Sequence, residues 1–267
     1  MSADEKKEQK RVAQIELIDM KLQRPDTCVS WQPSGINWRI DEGGFWAIGG
    51  LHWSGKSNLL TTIAAINASS LGRLDLFGKN TEEMSEDELL SERLRIGMVF
   101  EGDGCLFPQL TVAENIALPL RYRTGRDDLE LEERVESILN VLGLLEVGSN
   151  TPGVIDLGKR RRVGLARAVV LRPDILLFDQ PLVGLSYRQQ RWWRNLICEL
   201  SRGHELMGGK PVTIVVTTEN LRTWIDHARQ FALLREGSFE AVGDREQMKA
   251  CDNPLAHELL ELEQIKN

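Results

Sequence analysis

The sequence predicts an α/β fold in which a mixed β-sheet core with helices carries an all-helical lobe as an insert. Three observations predict it. Short apolar runs of strand character alternate with stretches of helical periodicity at both ends of the chain. A glycine-rich loop lies between a buried strand and an apolar helix near residue 50. From residue 111 to about residue 172 the strand signals vanish and only helical ones remain.

Taken in order, residues 1–11 are polar and lysine-rich and read as a disordered lead-in. Ile15-Glu16-Leu17-Ile18 and Ile36-Asn37-Trp38-Arg39-Ile40 alternate or run apolar, as short strands do. Asp41-Glu42-Gly43-Gly44 is a turn, and Phe45-Trp46-Ala47-Ile48-Gly49 is a buried strand. The glycine-rich loop follows, then a helix over 57–68. Leu74-Asp75-Leu76-Phe77-Gly78 is a strand ending in a turn, and Ile96-Gly97-Met98-Val99-Phe100 is another buried strand.

In the insert, residues 129–142 place apolar side chains at helical spacing and stop at Gly143. Residues 159–171 form a second helix, closed by Pro173. Strand pattern returns at Ile175-Leu176-Leu177-Phe178-Asp179. A helix over 187–200 precedes the strand Thr213-Ile214-Val215-Val216-Thr217. The last strand is Phe231-Ala232-Leu233-Leu234, and residues 244–264 read as helical. The domain plan is a lead-in (1–11), an α/β core (12–100 and 173–245), a helical lobe (101–172) and a C-terminal helical tail (246–267).

Composition narrows the function. A chain of 267 residues buries a substantial core without disulfides or metals. Lys plus Arg is 33 against 40 Asp plus Glu, a net charge of −7, which argues against a nucleic-acid partner. No apolar run approaches the roughly 18 residues of a membrane span, and no apolar stretch backs the lead-in as in a secretory signal. The four cysteines (Cys28, Cys105, Cys198, Cys251) form no C-x-x-C pair and read as reduced thiols. The four histidines have no H-E-x-x-H spacing.

Gly50-Leu51-His52-Trp53-Ser54-Gly55-Lys56-Ser57 matches G-x-x-x-x-G-K-[ST] at every fixed position. It sits where the chemistry requires, after a buried strand and at the start of a helix. Glycines let backbone N–H groups turn toward phosphate oxygens, and the helix N-terminus adds unsatisfied donors. Lys56 reaches the β and γ phosphates, the Ser57 hydroxyl ligates Mg²⁺, and Asn58 continues the site into the helix. Asp179, at the end of an apolar strand, supports the same metal.

With these motifs placed, the chain resembles the ATP-binding cassette (ABC) subunits of membrane transporters, a P-loop NTPase family, over about residues 13–245. Met98-Val99-Phe100 with Leu106-Phe107-Pro108-Gln109-Leu110-Thr111-Val112-Ala113-Glu114-Asn115 resembles the family's link from core to lobe. Gly158-Lys159-Arg160-Arg161-Arg162-Val163-Gly164-Leu165-Ala166-Arg167-Ala168 resembles the helix after its signature loop. Phe178-Asp179-Gln180-Pro181-Leu182-Val183-Gly184-Leu185 resembles its second nucleotide motif. The wording around Glu114 to Arg121 and Phe178 to Leu185 looks most like the Mce-type, or lipid-asymmetry, transporters of phospholipid.

The resemblance implies ATP and Mg²⁺ as cofactors. It also implies membrane permease subunits and a second cassette, in a hetero- or homodimer, as partners. The expected location is cytoplasmic, peripheral on the inner face of the inner membrane. Direct membrane spans and nucleic-acid partners are not expected.

The departures from the family pattern are as informative as the matches. Gln180 stands where the family has a catalytic Glu, and a neutral amide cannot accept a proton from water. Glu101 stands where the family has Gln, and a carboxylate there can still ligate Mg²⁺. Thr218 replaces the switch His, with Glu219 next to it, and Ser186 replaces the Asp that follows Gly184-Leu185. The signature reads Ile155-Asp156-Leu157-Gly158-Lys159. Asp156 thus replaces a Ser that approaches the partner's phosphate, and only Gly158 survives of the two glycines. Asp156 is also a good helix N-cap. Trp31 is the nearest aromatic that can stack on adenine.

The resulting expectation is a subunit that binds Mg-ATP with impaired hydrolysis and pairs with another cassette. Two alternatives stay open: an ordinary active transport ATPase using Glu101 or Glu219, and a nucleotide-gated regulator or assembly factor with no permease. Cys105-Leu106-Phe107 reads equally as a permease contact or a lobe-packing cluster. Arg188, Arg191 and Arg194 beside Trp192 and Trp193 could meet anionic lipid or a partner, but a solvated face with one buried Trp is the preferred reading. The short amphipathic helix in residues 253–260 could clasp the partner cassette or pack on its own core. For the run 159–162, a solvated basic face is the expectation for at least two of the four side chains.

Overall fold

The computed structural model describes residues 13–23, 33–67, 71–102, 104–124 and 129–261. The expected lead-in over 1–11 and the aromatic Trp31 lie outside them. In chain order the strands and helices are β1 (Ala13–Lys21), β2 (Ile36–Asp41), β3 (Phe45–Gly49), α1 (Lys56–Ile63), β4 (Leu71–Leu76), β5 (Lys79–Asn80) and α2 (Glu86–Arg93). Then come β6 (Ile96–Val99), α3 (Val112–Thr124), α4 (Leu129–Val141), α5 (Leu157–Val169), β7 (Ile175–Phe178) and α6 (Tyr187–Leu200). The chain closes with β8 (Thr213–Thr218), β9 (Gln230–Arg235), β10 (Ser238–Gly243), α7 (Arg245–Lys249) and α8 (Pro254–Glu261).

Two sheets result. A six-stranded sheet runs β10-β9-β3-β8-β7-β6, parallel from β9 to β6 with β10 returning antiparallel. A four-stranded antiparallel sheet runs β2-β1-β4-β5. Strands β3, β7 and β8 are buried along their whole lengths, as parallel strands covered on both faces must be. Alternation then sorts β3 between two cores. Trp46 and Ile48 pack with Leu59, Leu60 and Ile63 of α1 and with Ile15 and Leu17 of β1. Phe45 and Ala47 join Val163 and Leu165 of α5 and Ile197 of α6. Each fully buried Leu or Ile of this kind contributes about 1.5–3 kcal/mol, so α1 is clamped between the two sheets.

Four sequence expectations are corrected. Helix α1 stops at Ile63 rather than reaching residue 68, because Ala65 takes a left-handed φ of 52° that ends the helix. Helix α2 was absent from the sequence reading: its apolar moment is weak, and a Ser85–Glu88 capping box starts it instead. The last strand is β10, not β9. Glu236 and Gly237, both at positive φ, close a tight hairpin whose outer strand is an exposed edge without an apolar pattern. The C-terminal segment is two helices. Ala250 ends α7, and Asn253 Oδ1 accepts from Leu255 N at 3.0 Å to start α8 behind Pro254.

Helix α8 spends its apolar face on its own core. Leu255, Ala256 and Leu259 are buried, and a Cβ on Gly49 would meet Leu259 Cδ1 at 2.8 Å. No helix among the described residues is long and apolar enough to cross a membrane.

Candidate functional site

The chain leaves β3 at Gly49 and turns through residues 50–55 into α1. Gly50 N donates to Thr218 O at 3.1 Å, tying the loop to β8. A Cβ on Gly50 would lie 2.5 Å from Leu234 O, so only glycine passes there. Gly55 enters α1 at φ 101° and provides no side-chain cap. The first amides of α1 are therefore not spent on a cap, which suits an anion. Trp53 holds a left-handed φ of 63°, a conformation that costs a non-glycine residue roughly 1–2 kcal/mol. Its ring is 57% exposed at the rim, edge-on to His52 at 4.6 Å.

Lys56 is 4% exposed. Its Nζ donates to Gly50 O and Leu51 O, both at 2.7 Å, and lies 3.5 Å from Glu219 Oε1. Glu219 also faces His52 Nδ1 at 3.5 Å. Burial lowers the Lys56 pKa, and the carboxylates of Glu219, Asp179 and Glu101 pull it back up in part. The lysine is thus a buried cation whose charge three carboxylates share.

A cleft of about 260 Å³ opens beside it, lined by residues 52–58 and, on the far wall, by Glu101 and Gln180. The two far-wall residues touch: Gln180 Nε2 donates to Glu101 Oε2 at 3.0 Å. Gln180 sits just after β7 with a left-handed φ of 43°. Its N–H donates to Thr217 Oγ1 at 3.0 Å, and Thr217 Oγ1 donates to Asp179 Oδ1 at 2.8 Å. Asp179 is 4% exposed and lies behind Gln180 rather than in the cleft lining. Two buried oxygens at the site, Ser54 Oγ and Gln180 Oε1, have no partner within the protein.

Most of the expected residues converge here. His52, Trp53, Ser54, Gly55, Lys56, Ser57, Asn58, Glu101 and Gln180 line the cleft, and the Gly50 and Leu51 carbonyls back it. Asn58 also donates to Gln23 O at 2.9 Å, anchoring α1 to the segment after β1. Thr218 does not face the cleft. Its hydroxyl accepts from Asn220 N at 3.0 Å and donates to Asn220 O at 3.1 Å, closing its own turn. Asp156 and Gly158 lie at the start of α5, away from the cleft of this chain. Asp156 Oδ1 caps α5 by accepting from Lys159 N at 2.9 Å. A Cβ on Gly158 would meet Gln189 Nε2 at 2.6 Å, where α5 meets α6.

All four side chains of the basic run after Gly158 find partners, although Lys159 stays 41% exposed in a surface ion pair. Lys159 Nζ is 3.7 Å from Asp156 Oδ2, and Arg160 Nε donates to Ile155 O at 3.0 Å. Arg162 donates to Leu142 O and lies 4.3 Å over the Trp192 ring. Arg161 is buried and donates to Gly102 O at 2.8 Å and to Val183 O, while burial lowers its pKa. Arg167 donates to Gly104 O at 2.7 Å and Cys105 O at 2.9 Å. Gly104 and Gly164 come so close that a Cβ on either would meet the other's Cα at 3.1 Å. The loop carrying Glu101 is therefore strapped to α5. Sequence reading missed this strap, whose sequence trace is the pair of glycines at 104 and 164.

A nucleotide fits these donors. The uncapped first amides of α1, a buried lysine and an orphaned serine hydroxyl match phosphate oxygens. For Mg²⁺ the site offers the Ser57 hydroxyl and the Glu101 carboxylate, both hard oxygen donors, with Asp179 behind. No group of three or more His, Cys, Asp or Glu poised to hold a metal occurs among the described residues. Phosphate oxygens and water must therefore complete the shell, as is usual for Mg²⁺ in NTPases.

A phosphate-cradling loop between a buried parallel strand and a helix, on a sheet flanked by a helical lobe, defines a P-loop nucleotide-binding protein. A family model described as ABC transporter matches residues 33–183, and the chain belongs to that family of ATP-binding cassettes. Its family implies ATP as the nucleotide.

Among curated relatives, it is 31% identical over 86% of its length to the methionine import ATP-binding protein MetN 1 of Acinetobacter baylyi, spanning 63% of that protein. It is 32% identical to a probable sulfate/thiosulfate import ATP-binding protein CysA of Chlorella vulgaris, covering 82% of this chain and 86% of that one. Among solved structures it superimposes with a TM-score of 0.72 on the dimeric ATP-binding cassette MJ0796 bound to ADP and Pi. That match has 27% identity and covers 85% of this chain and 98% of the other. The fold also matches cbiO1 of Clostridium perfringens, with a TM-score of 0.73 at 22% identity over 90% of this chain and 91% of that one.

Proposed function

We propose that the chain is the ATP-binding subunit of an ABC transporter serving phospholipid or another envelope lipid. In this reading it binds Mg-ATP, hydrolyses it slowly, and works with membrane permease subunits and a second cassette on the inner face of the inner membrane. The observation that carries the nucleotide reading is the buried Lys56 ammonium beside the 260 Å³ cleft lined by residues 52–58. Slow turnover follows from the chemistry of the substitutions. Gln180 cannot take a proton, Thr218 spends its hydroxyl on a turn, and Asp156 puts a carboxylate where a partner's phosphate would approach. The lipid assignment rests on the sequence wording around Glu114 to Arg121 and Phe178 to Leu185.

A second reading, favoured by the relatives' names, is a cassette for import of a small solute such as an amino acid or an oxyanion. Calorimetry of the chain with Mg-ATP tests the nucleotide step, with Lys56→Ala as the control that loses binding. Native mass spectrometry of the tagged chain from gently extracted host membranes tests the rest. Permease subunits and co-bound phospholipid support the lipid reading. A complex with a solute-binding partner and no lipid supports the second reading, and a chain without membrane subunits refutes both.

A further inference from the structure

We propose that the pocket where the ends of α3 and α5 meet the start of α4 is a second anion site, which takes a phosphate group between Arg123, Arg134 and Arg172. It shares no lining residue with the nucleotide cleft and does not depend on the nucleotide reading. The pocket holds about 370 Å³, and in it three guanidinium groups face one carboxylate, that of Glu130. In a chain of net charge −7 this gathers positive charge into one concavity. None of the three arginines has an ion-pair partner among the described residues.

The fold places these side chains. From α4, Arg134 Nε donates to Val170 O at 3.3 Å, and its Nη2 donates to Val169 O at 3.1 Å and to Leu206 O at 2.7 Å. Two carbonyls at the negative end of α5 are thereby already bonded. Arg134 Nη1 takes no partner among the described residues and keeps surface that a ligand can reach. Arg172 follows α5 at a left-handed φ of 53°, a position that helix ends usually give to glycine. Its guanidinium lies against Gly208, where a Cβ would stand 3.7 Å from Cζ. The short stretch 206–208 thus seats both guanidinium groups.

Two cations held together without a carboxylate repel each other. Burial pushes the Arg134 guanidinium down to about 10, and the charge of Arg172 acts in the same direction. An anion between them offsets both effects. Phosphate presents several oxygens, which guanidinium groups meet with paired N–H donors. Leu120 and Leu131 supply apolar walls, where charges are screened less than on an open surface. Two sources carry such a group: soluble phosphate and the headgroup of an anionic phospholipid. Tyr122 and Leu129, chain neighbours of Arg123 and Glu130, are exposed and would give a lipid an apolar contact.

The test uses the full chain carrying Lys56→Ala, so that the phosphate loop does not contribute. Calorimetry with inorganic phosphate should show binding. Adding Arg123→Gln and Arg172→Gln, both at exposed side chains, should weaken it about tenfold or more. Adding Arg188→Gln and Arg191→Gln instead removes the same charge from α6 and should leave it within about twofold. Thermal unfolding in chloride checks that each variant folds. If the Arg123/Arg172 pair does not, Arg172→Gly, which suits the left-handed backbone, carries the same expectation. Sedimentation with phosphatidylcholine vesicles, with and without phosphatidylglycerol, tests the other source.

Phosphate binding lost in the Arg123/Arg172 pair, without sedimentation, supports the site with a soluble ligand. Sedimentation with the anionic vesicles alone, lost in the same pair, supports it with a lipid headgroup. Binding to neither probe overturns the proposal. So does binding that the Arg123/Arg172 pair keeps, or that the Arg188/Arg191 pair loses equally. None of these outcomes depends on whether the wild type binds ATP.

Discussion

Helices α1 and α5 begin in the same way, with a glycine at or beside the first turn, and they end up with opposite capacities. At α1 the cap is Gly55, which brings no side chain, so the first amides beside the cleft are not spent on a cap. At α5 the cap is Asp156, whose carboxylate already accepts from Lys159 N. Both are positive dipole ends with spare donors. One is left open to an external anion, and the other is satisfied by an anion built into the chain. A helix N-terminus is therefore a phosphate site only where the sequence withholds its own cap, and a single side chain at the N-cap decides which it becomes.

Substitutions at four positions break or sharpen that contrast. The largest effect is expected at the open end. Lys56→Ala removes a charged donor to phosphate worth about 2–3 kcal/mol, so calorimetry should show Mg-ATP affinity falling roughly 100-fold. Affinity within twofold of wild type would mean the open end of α1 binds no phosphate.

Next is the strap of α5. Arg161→Met leaves two backbone carbonyls, Gly102 O and Val183 O, without their donor, a loss of about 2 kcal/mol that urea unfolding should register. At the closed end, Asp156→Ala deletes the cap and should cost about 1 kcal/mol in the same assay. Asp156→Ser should restore most of that stability without the charge, which separates capping from electrostatics.

The smallest effect is at Glu219, whose half-exposed carboxylate stands 3.5 Å from Lys56 Nζ. Glu219→Gln removes a competitor for the lysine worth about 0.5 kcal/mol, so ATP affinity should rise about twofold. A fall in affinity would show that Glu219 helps to hold the nucleotide.

Legibility from sequence followed how local each feature is. The phosphate loop was readable because its chemistry lies within eight consecutive residues between a strand and a helix, and the structure gathers residues 52–58 into one wall. Asp156 was readable as a cap because capping acts over three residues. Strand β10 was not, since an edge strand buries little and shows no alternation. Nor was the engagement of Lys159 to Arg162, because charge type says nothing about which carbonyls of distant loops a guanidinium will reach.

Family membership and the position of the phosphate loop were determined by the sequence alone. Each depends on neighbours a few residues apart, where backbone geometry leaves little choice. The meeting of Glu101 with Gln180, the turn that absorbs Thr218 and the strap from α5 to the Glu101 loop were decided only in three dimensions. They join residues whose separation along the chain carries no distance information until β6, β7 and β8 pair side by side and set their ends together.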